Sequence, residues 1–336
     1  MATKGEYVTN KYLLKLSFFF LILTCLYVMF VRYAMYECKS ISTKIDRIKA
    51  KDKVIVITGA NSGLGYHSSL VLSQAGAVIV MGARNLTRGH DARLKILSLV
   101  PGAKLSVYEL NLASFESVKK FARSVMNDFK SIDVLMNNAA EMAIPTREMT
   151  IDNNERQMET NHLSHFLLTG LLLPKISKTG RIVNVASAGY ILSENSFPED
   201  LQSSKYYNPW VAYGNSKFAN LLFTYELNKR LQKAGSSIKS IATHPGYTAT
   251  NLQVDRYPFW EYSNALFAMD LAAGSLSQIV AALDPDIEAS YDNFLGPKYV
   301  IFGAPYVEFT GKSTDEARTM LWEKSVKITG NNFGKL

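Results

Sequence analysis

Three side chains of this 336-residue chain have the types and the order for proton transfer at a carbonyl or an alcohol. Tyr213 and Lys217 open and close the pentapeptide Tyr213-Gly214-Asn215-Ser216-Lys217, and an i, i+4 spacing puts both on one face of a helix. A tyrosine at its ordinary pKa of about 10 is a poor acid or base near neutrality. A neighbouring ammonium stabilises the phenolate, so the pair predicts a phenol brought down towards the working pH. Tyr-x-x-x-Lys is common by chance. The pair gains weight from Ser187, just after a strand-like stretch at 181–186. Its hydroxyl would hydrogen-bond the substrate oxygen while Tyr213 moves the proton.

A second group of residues suits a dinucleotide. Directly after the strand-like run 54–58 comes Thr58-Gly59-Ala60-Asn61-Ser62-Gly63-Leu64-Gly65, leading into a helical pattern. Glycines there turn the chain sharply and let backbone N–H groups approach a pyrophosphate at a helix N-terminus. The spacing is G-x-x-x-G-x-G and not the general G-x-G-x-x-G, so an ordinary glycine-rich turn is the bland alternative. The next strand-like run ends at Met81-Gly82-Ala83-Arg84, and no Asp or Glu occurs from 76 to 90. An acidic residue there would hold the adenosine ribose hydroxyls, whereas an arginine pairs with a 2′-phosphate, so NADP(H) is expected over NAD(H). Arg88 is a weaker second choice for that phosphate, and a merely solvated Arg84 is the alternative.

These groups must be positioned by alternating strands and helices. Strands are expected over 54–58, 78–81, 105–109, 134–137, 181–186, 238–243 and 299–302, and helices over 64–75, 86–99, 114–129, 152–176, 211–234 and 262–283. Several strands are apolar on consecutive positions, as in a sheet covered on both faces. One strand per helix predicts an α/β fold, a single Rossmann-type doubly wound parallel sheet of about seven strands.

Over residues 52–330 the chain resembles the short-chain dehydrogenase/reductase family. The resemblance rests on TGANSGLG at 58–65, NNAA at 137–140, NHLSHFLLT at 161–169, RIVNVAS at 181–187, YGNSK at 213–217 and HPG at 244–246. The stretches at 200–227 and 321–330 are similar to the retinol-dehydrogenase-like and WW-domain-oxidoreductase-like group within it. The resemblance implies that Tyr213 is the general acid/base, that Lys217 lowers its pKa and binds the nicotinamide ribose, and that Ser187 polarises the substrate oxygen. It implies that Asn161 holds a water linking Lys217 to solvent, although Asn161 also reads as an ordinary polar helix residue. The cofactor would contact Gly59, Asn61, Ser62, Gly63, Leu64, Gly65, Arg84, Asn111, Leu112, Asn138, Ala139, Tyr213, Lys217, Pro245 and Gly246. Three positions depart from the family pattern: Asn111 replaces an aspartate, Ala140 a glycine and Ala186 a serine, and none removes a catalytic group. The five histidines form no convincing metal-ligand set, and His162 and His165 read as helix packing. Phe218, Leu221, Leu222 and Tyr225 read as core or dimer-contact residues, and the family admits a homodimer through that helix.

Charge and hydropathy separate the N-terminus from this body. Residues 1–53 carry ten Lys/Arg against four Asp/Glu, which leaves only +2 of the net +8 to the rest and argues against a nucleic-acid partner. Residues 16–31 are charge-free and reach about 24 Å as a helix, and snorkelling of Lys15 and Arg32 extends the span towards a hydrocarbon core of about 30 Å. The expected organisation is an N-terminal flank at 1–12, a transmembrane signal anchor at 13–36, a basic linker at 37–52 and the dehydrogenase domain at 53–336. A cleaved signal peptide and a buried helix are the rivals; the first lacks a small-x-small cleavage site. More positive charge follows the span than precedes it, which places the body in the cytosol, with the endoplasmic reticulum as the expected membrane. The sequon Asn85-Leu86-Thr87 adjoins Arg84, where a glycan would obstruct the cofactor, and that also favours a cytosolic body.

The partners expected are therefore a lipid bilayer and a lipophilic carbonyl or alcohol such as a retinoid, steroid or isoprenoid. Substrate identity is expected to reside in the stretch 247–267, with Tyr257, Pro258, Phe259, Trp260, Tyr262, Leu266 and Phe267, and in the insert 188–210; that aromatic density reads as an apolar pocket, as a bilayer contact or as ordinary packing under a loop. Two other functions stay open at this point: a protochlorophyllide-reductase-like enzyme and a non-catalytic NADP(H)-sensing membrane scaffold.

Overall fold

The computed structural model describes residues 4–45, 50–250, 268–287, 293–309, 311 and 313–334. Eight strands form one sheet in the order β3-β2-β1-β4-β5-β6-β7-β8. They are β1 Val54–Thr58, β2 Val78–Ala83, β3 Lys104–Glu109, β4 Ile132–Asn137, β5 Ile176–Val185, β6 Lys239–Thr243, β7 Asn293–Pro297 and β8 Pro305–Phe309. Every pairing is parallel except β7 with β8. Alternate residues of one strand feed two different cores. Ile55 and Ile57 face one side with Ile79, Met81, Val134 and Val183. Val56 faces the other with Val80, Leu135 and Ile182. That double burial explains the near-continuous apolar strands. Helices cover both faces: α1 Lys4–Ile45, α2 Gly63–Gln74, α3 Leu86–Leu99, α4 Phe115–Asp128, α5 Arg156–Met158, α6 Ser164–Leu172, α7 Pro209–Lys233, α8 Leu271–Leu283 and α9 Asp315–Thr329. Strand order reverses between β1 and β4, so the carboxyl ends of these two strands form the crevice where such sheets bind ligands.

The structure departs from the sequence expectation in several places: β7, β8 and α9 are not among the expected elements, the helix expected over 262–283 begins among the described residues at Leu271, and three further differences stand out. The apolar run 299–302 is a turn between β7 and β8, not a strand. It is bracketed by Pro297 and by Gly303-Ala304-Pro305, and Val300 holds φ +65°. The helix expected over 152–176 starts only at Arg156, where Glu155 caps it, and passes through a wide π turn at Glu159–Leu163. It ends at Leu172, before Pro174. Finally, α1 is continuous to Ile45, so the first part of the expected linker is helical. One segment of α1, Lys15–Lys39, is long and apolar enough to cross a membrane. The candidate substrate-determining residues Tyr257, Pro258, Phe259, Trp260, Tyr262, Leu266 and Phe267 lie outside the described residues.

Candidate active site

The glycine turn is shaped by close approach. Gly59 and Gly63 adopt φ +66° and +54°, which favours glycine. A Cβ on Gly59 would stand 2.9 Å from the Ala139 Cβ, and one on Gly65 would stand 2.3 Å from the Gly59 carbonyl oxygen. Ser62 caps α2 in an extended conformation without a side-chain bond, so the N–H groups of the first turn open onto the crevice. Glycines that admit no methyl beside a helix N-terminus form a cradle suited to a pyrophosphate.

The far wall of the crevice follows β4 and is tied to the glycine turn by a buried relay. The Asn138 and Ala139 amides both donate to the Thr58 hydroxyl at 2.9 Å, and the Asn138 side-chain amide donates to the Thr58 carbonyl at 2.8 Å. Thr58 Oγ1 also lies 2.9 Å from His165 Nε2, while His165 Nδ1 lies 3.0 Å from the Asn161 carbonyl. A carbonyl only accepts, so Nδ1 carries the proton and Nε2 accepts from Thr58, whose oxygen is left for the two amides. Burial pushes His165 down to about 4, which keeps it in this neutral form. Packing alone was expected of His165; it is the hub joining β1, β4 and α6. The Asn161–His165 spacing of four was the available signal. His162, by contrast, does pack, with its Nε2 2.9 Å from Ser325 Oγ and its ring beside Phe166 and Phe223.

Asn161 sits in the π turn, where Ser164 N–H reaches back to the Glu159 carbonyl. Its side chain accepts from Glu141 N at 2.8 Å and donates to Glu141 O and Ser216 Oγ at 2.9 Å each. That is a clamp between the wall after β4 and α7. Asn208 caps α7 by accepting from Trp210 N and Val211 N, and Pro209 occupies its first turn. Lys217 is buried on this helix, 5.8 Å from the Tyr213 ring centre, with its ammonium nitrogen 3.0 Å from the Val185 carbonyl.

Ser187 follows β5, and its hydroxyl oxygen accepts from Gly189 N at 3.0 Å, capping the short helical turn Ala188–Leu192. Gly189 is a site residue the motifs did not single out. A Cβ there would stand 3.1 Å from Tyr213 Cε1 and 3.2 Å from Ser187 Oγ, so a methyl would crowd both hydroxyl-bearing side chains and push them by a few tenths of an ångström. Tyr213 is 7% exposed and packs with Met142, Ala143 and Trp210.

The electrostatics invert one expectation. The phenol is not brought down. Burial pushes Tyr213 up to about 12, opposed only by a hydrogen bond with Ser187. Burial lowers Lys217 to about 7. Taking each group out of water penalises the phenolate and the ammonium alike, so the phenol rises and the amine falls.

The remaining expected contacts divide. Pro245 and Gly246 follow β6 at the carboxyl end of the sheet, with Gly246 at φ +66°. Thr250, which the motifs missed, lies over Gly63, 3.8 Å from where its Cβ would be. Leu112 is a core residue whose carbonyl accepts from Ser164, which leaves its backbone N–H as the group it can offer. The Asn111 oxygen accepts from Ala113 N in a local turn. Arg84 is 66% exposed in its side chain and pairs with Glu141 at 3.1 Å; the same carboxylate takes two bonds from Arg156, at 2.7 and 2.9 Å.

Comparison with known proteins identifies relatives of the chain. Residues 53–259 match the family model described as short chain dehydrogenase. The chain is 32% identical to human retinol dehydrogenase 11 over 289 residues, which is 84% of this chain and 87% of that one. It is 35% identical to mouse retinol dehydrogenase 14 over 297 residues, covering 83% and 86%. Among solved structures, an uncharacterised protein from Mycobacterium paratuberculosis superposes with a TM-score of 0.72 at 34% identity, covering 86% of this chain and 98% of that one.

Proposed function

The chain belongs to the short-chain dehydrogenase family, in its retinol-dehydrogenase-like branch, and from that premise we propose that it is a membrane-anchored, NADP(H)-dependent reductase of a lipophilic carbonyl compound. The observation that carries the reading is the approach of Ser187 and Tyr213 across Gly189 at the end of β5, with Lys217 buried 5.8 Å from the Tyr213 ring centre. Ser187 orients the substrate oxygen. Tyr213, held protonated, donates to that oxygen as it gains negative charge, and Lys217 resupplies charge and proton beside it. Asn161 and His165 fix the walls, and the closed packing around Tyr213 excludes water. A bound nicotinamide cofactor would supply the hydride; the Gly59–Gly65 turn would hold its pyrophosphate, and Pro245 and Gly246 would border its carboxamide end.

A phenol with its pKa near 12 stays protonated at neutral pH, the form that donates in reduction, while an NADP(H) preference in a reducing cytosol is what favours that direction. The sign has a measurable consequence. Reduction uses the protonated phenol and loses it only near pH 12. Oxidation uses the phenolate, whose fraction climbs tenfold per pH unit below that pKa. Thus kcat/KM for alcohol oxidation is expected to rise about tenfold per unit from pH 8 to 10 while carbonyl reduction stays flat. An inflection near pH 7 in both directions reports Lys217. Oxidation that is flat above pH 8 sinks the assignment.

Arg84 supports the NADP(H) preference. Its pair with Glu141 is screened by solvent on the arginine side, 66% exposed against 14% for the carboxylate, and is worth about 1 kcal/mol, whereas a charge-assisted bond to a 2′-phosphate is worth about 1.5–3 kcal/mol. The exchange therefore favours the phosphate, and Glu141 keeps Arg156. Titrating NADPH and NADH against wild type and Arg84→Ala, followed by nicotinamide fluorescence, tests this. The variant is expected to lose about 10- to 100-fold in NADPH affinity with NADH unchanged. Equal wild-type binding of both cofactors would remove the argument.

The lipophilic class of substrate, retinoid, steroid or isoprenoid, is supported by the apolar helix segment Lys15–Lys39, which would hold the body beside lipid-dissolved molecules with the dehydrogenase domain cytosolic.

A further inference from the structure

The N-terminal helix does not leave the body behind it free. From Phe30 onward one stripe of α1, formed by Phe30, Ala34, Cys38 and Ile41, turns towards the fold at helical spacing. Ala34 and Cys38 are buried in the same core as α8. The Phe30 ring stands edge-on to Tyr299 and Phe302, with centres 4.7 and 5.3 Å apart, and Lys298 lies 3.4 Å from Glu37. Phe30 is the penultimate residue of the charge-free run 16–31. The turn at 298–303 is therefore pinned at the depth where that run ends, and Tyr33 and Tyr36 stand exposed on the next turn of the helix.

At this depth two apolar side chains point outward. Val300 is 45% exposed and Ile301 is 48% exposed. Val300 does so at φ +65°, where a β-branched residue is strained and glycine or asparagine is expected. In water that strain would gain nothing, since it presents an isopropyl group to solvent. Against lipid the same projection buries it.

We propose that the 298–303 turn is a second membrane contact, seating Val300 and Ile301 in the headgroup–acyl boundary of the bilayer that α1 enters. The inference rests on the reading of α1 as a membrane anchor. It gives the anchor a consequence for the site, because the Ile301 carbonyl accepts from Tyr247 N at 2.8 Å. A Cβ on Gly246 would stand 2.6 Å from that same carbonyl oxygen. The turn touching lipid is thus bonded to the Pro245–Tyr247 segment at the carboxyl end of the sheet, and a lipid-dissolved substrate leaves the membrane beside the site without crossing water.

The test uses the full chain in phosphatidylcholine vesicles, with an environment-sensitive fluorophore on single cysteines. Native Cys25, with Cys38→Ala, reports α1. Ile301→Cys and Leu94→Cys, each with Cys25→Ser and Cys38→Ala, report the turn and a control. Leu94 is exposed on α3 at the β3 edge, roughly 30 Å across the sheet from β8. Quenching by a nitroxide-bearing lipid is expected to be at least about threefold stronger at Ile301 than at Leu94. Val300→Asp is expected to abolish the difference while leaving the Cys25 label quenched. If Cys25 is lipid-quenched but the Ile301 label is as open to aqueous iodide as Leu94, the second contact is overturned and the anchor stands. If lipid quenches neither, the anchor reading falls and takes this one with it.

Discussion

Tyr213→Phe is expected to lower kcat for carbonyl reduction by about 10³-fold, within the 10²–10⁴ range of a lost general acid, while the protein folds and binds NADPH as before. The ring keeps its place among Met142, Ala143 and Trp210, so packing is preserved. What disappears is one buried hydroxyl whose described partner is Ser187. Ser187 retains its bond from Gly189 N, so no polar atom is stranded and the stability change stays within about 1 kcal/mol. A structural role for Tyr213 would show instead as a lower melting temperature or weakened NADPH binding. Steady-state rates from nicotinamide absorbance, beside a thermal melt, separate the two. Activity within tenfold of wild type would remove Tyr213 as the proton donor. A wild type that binds NADPH but reduces no lipophilic carbonyl would instead revive the reading of the chain as a cofactor-sensing scaffold.

How much of this was legible in the sequence depends on range. The strands β1, β2, β4 and β5 declare themselves through runs such as Val54–Thr58, because burial on both faces requires apolar residues at every position. The glycine turn, Ser187, Tyr213 and Lys217 were legible because each sits at a fixed offset from the strand or helix that carries it. The 299–302 turn was misread for a physical reason. Tyr-Val-Ile-Phe is apolar because it faces α1 and the exterior, not because it lies in the sheet, and composition does not distinguish those causes. The direction of the Tyr213 shift was also illegible. The i, i+4 rule predicts that Lys217 is near, but only the fold shows both groups dry, so that desolvation sets the direction of each shift. Gly189 and His165 act across 24 and 107 residues, on Tyr213 and Thr58, and no local pattern reports such pairings.

Gly65→Ala is expected to weaken NADPH binding by about 30-fold or more, because the new methyl has nowhere to go. It would meet the Gly59 carbonyl oxygen at 2.3 Å and the Asn138 side-chain nitrogen at 2.6 Å. Neither neighbour is a flexible end. Gly59 is tied to Gly82 O at 2.9 Å and backs onto Ala139, and the Asn138 amide is bonded to the Thr58 carbonyl and lies 3.3 Å from Gln278 Nε2. The first turn of α2 must therefore move outward by about 1 Å, at an overpacking cost of about 1–3 kcal/mol. The N–H groups that would hold the pyrophosphate move with it. Gly63→Ala isolates the steric cause. That position has φ +54° but open space, with Thr250 no closer than 3.8 Å. It is expected to cost about 1–2 kcal/mol of strain while NADPH affinity stays within several-fold. Fluorescence titration gives the affinities, and the rise in melting temperature with saturating NADPH reads them independently. If Gly65→Ala binds NADPH like wild type, or if both variants lose it equally, the close contact at Gly65 is not what shapes the phosphate cradle.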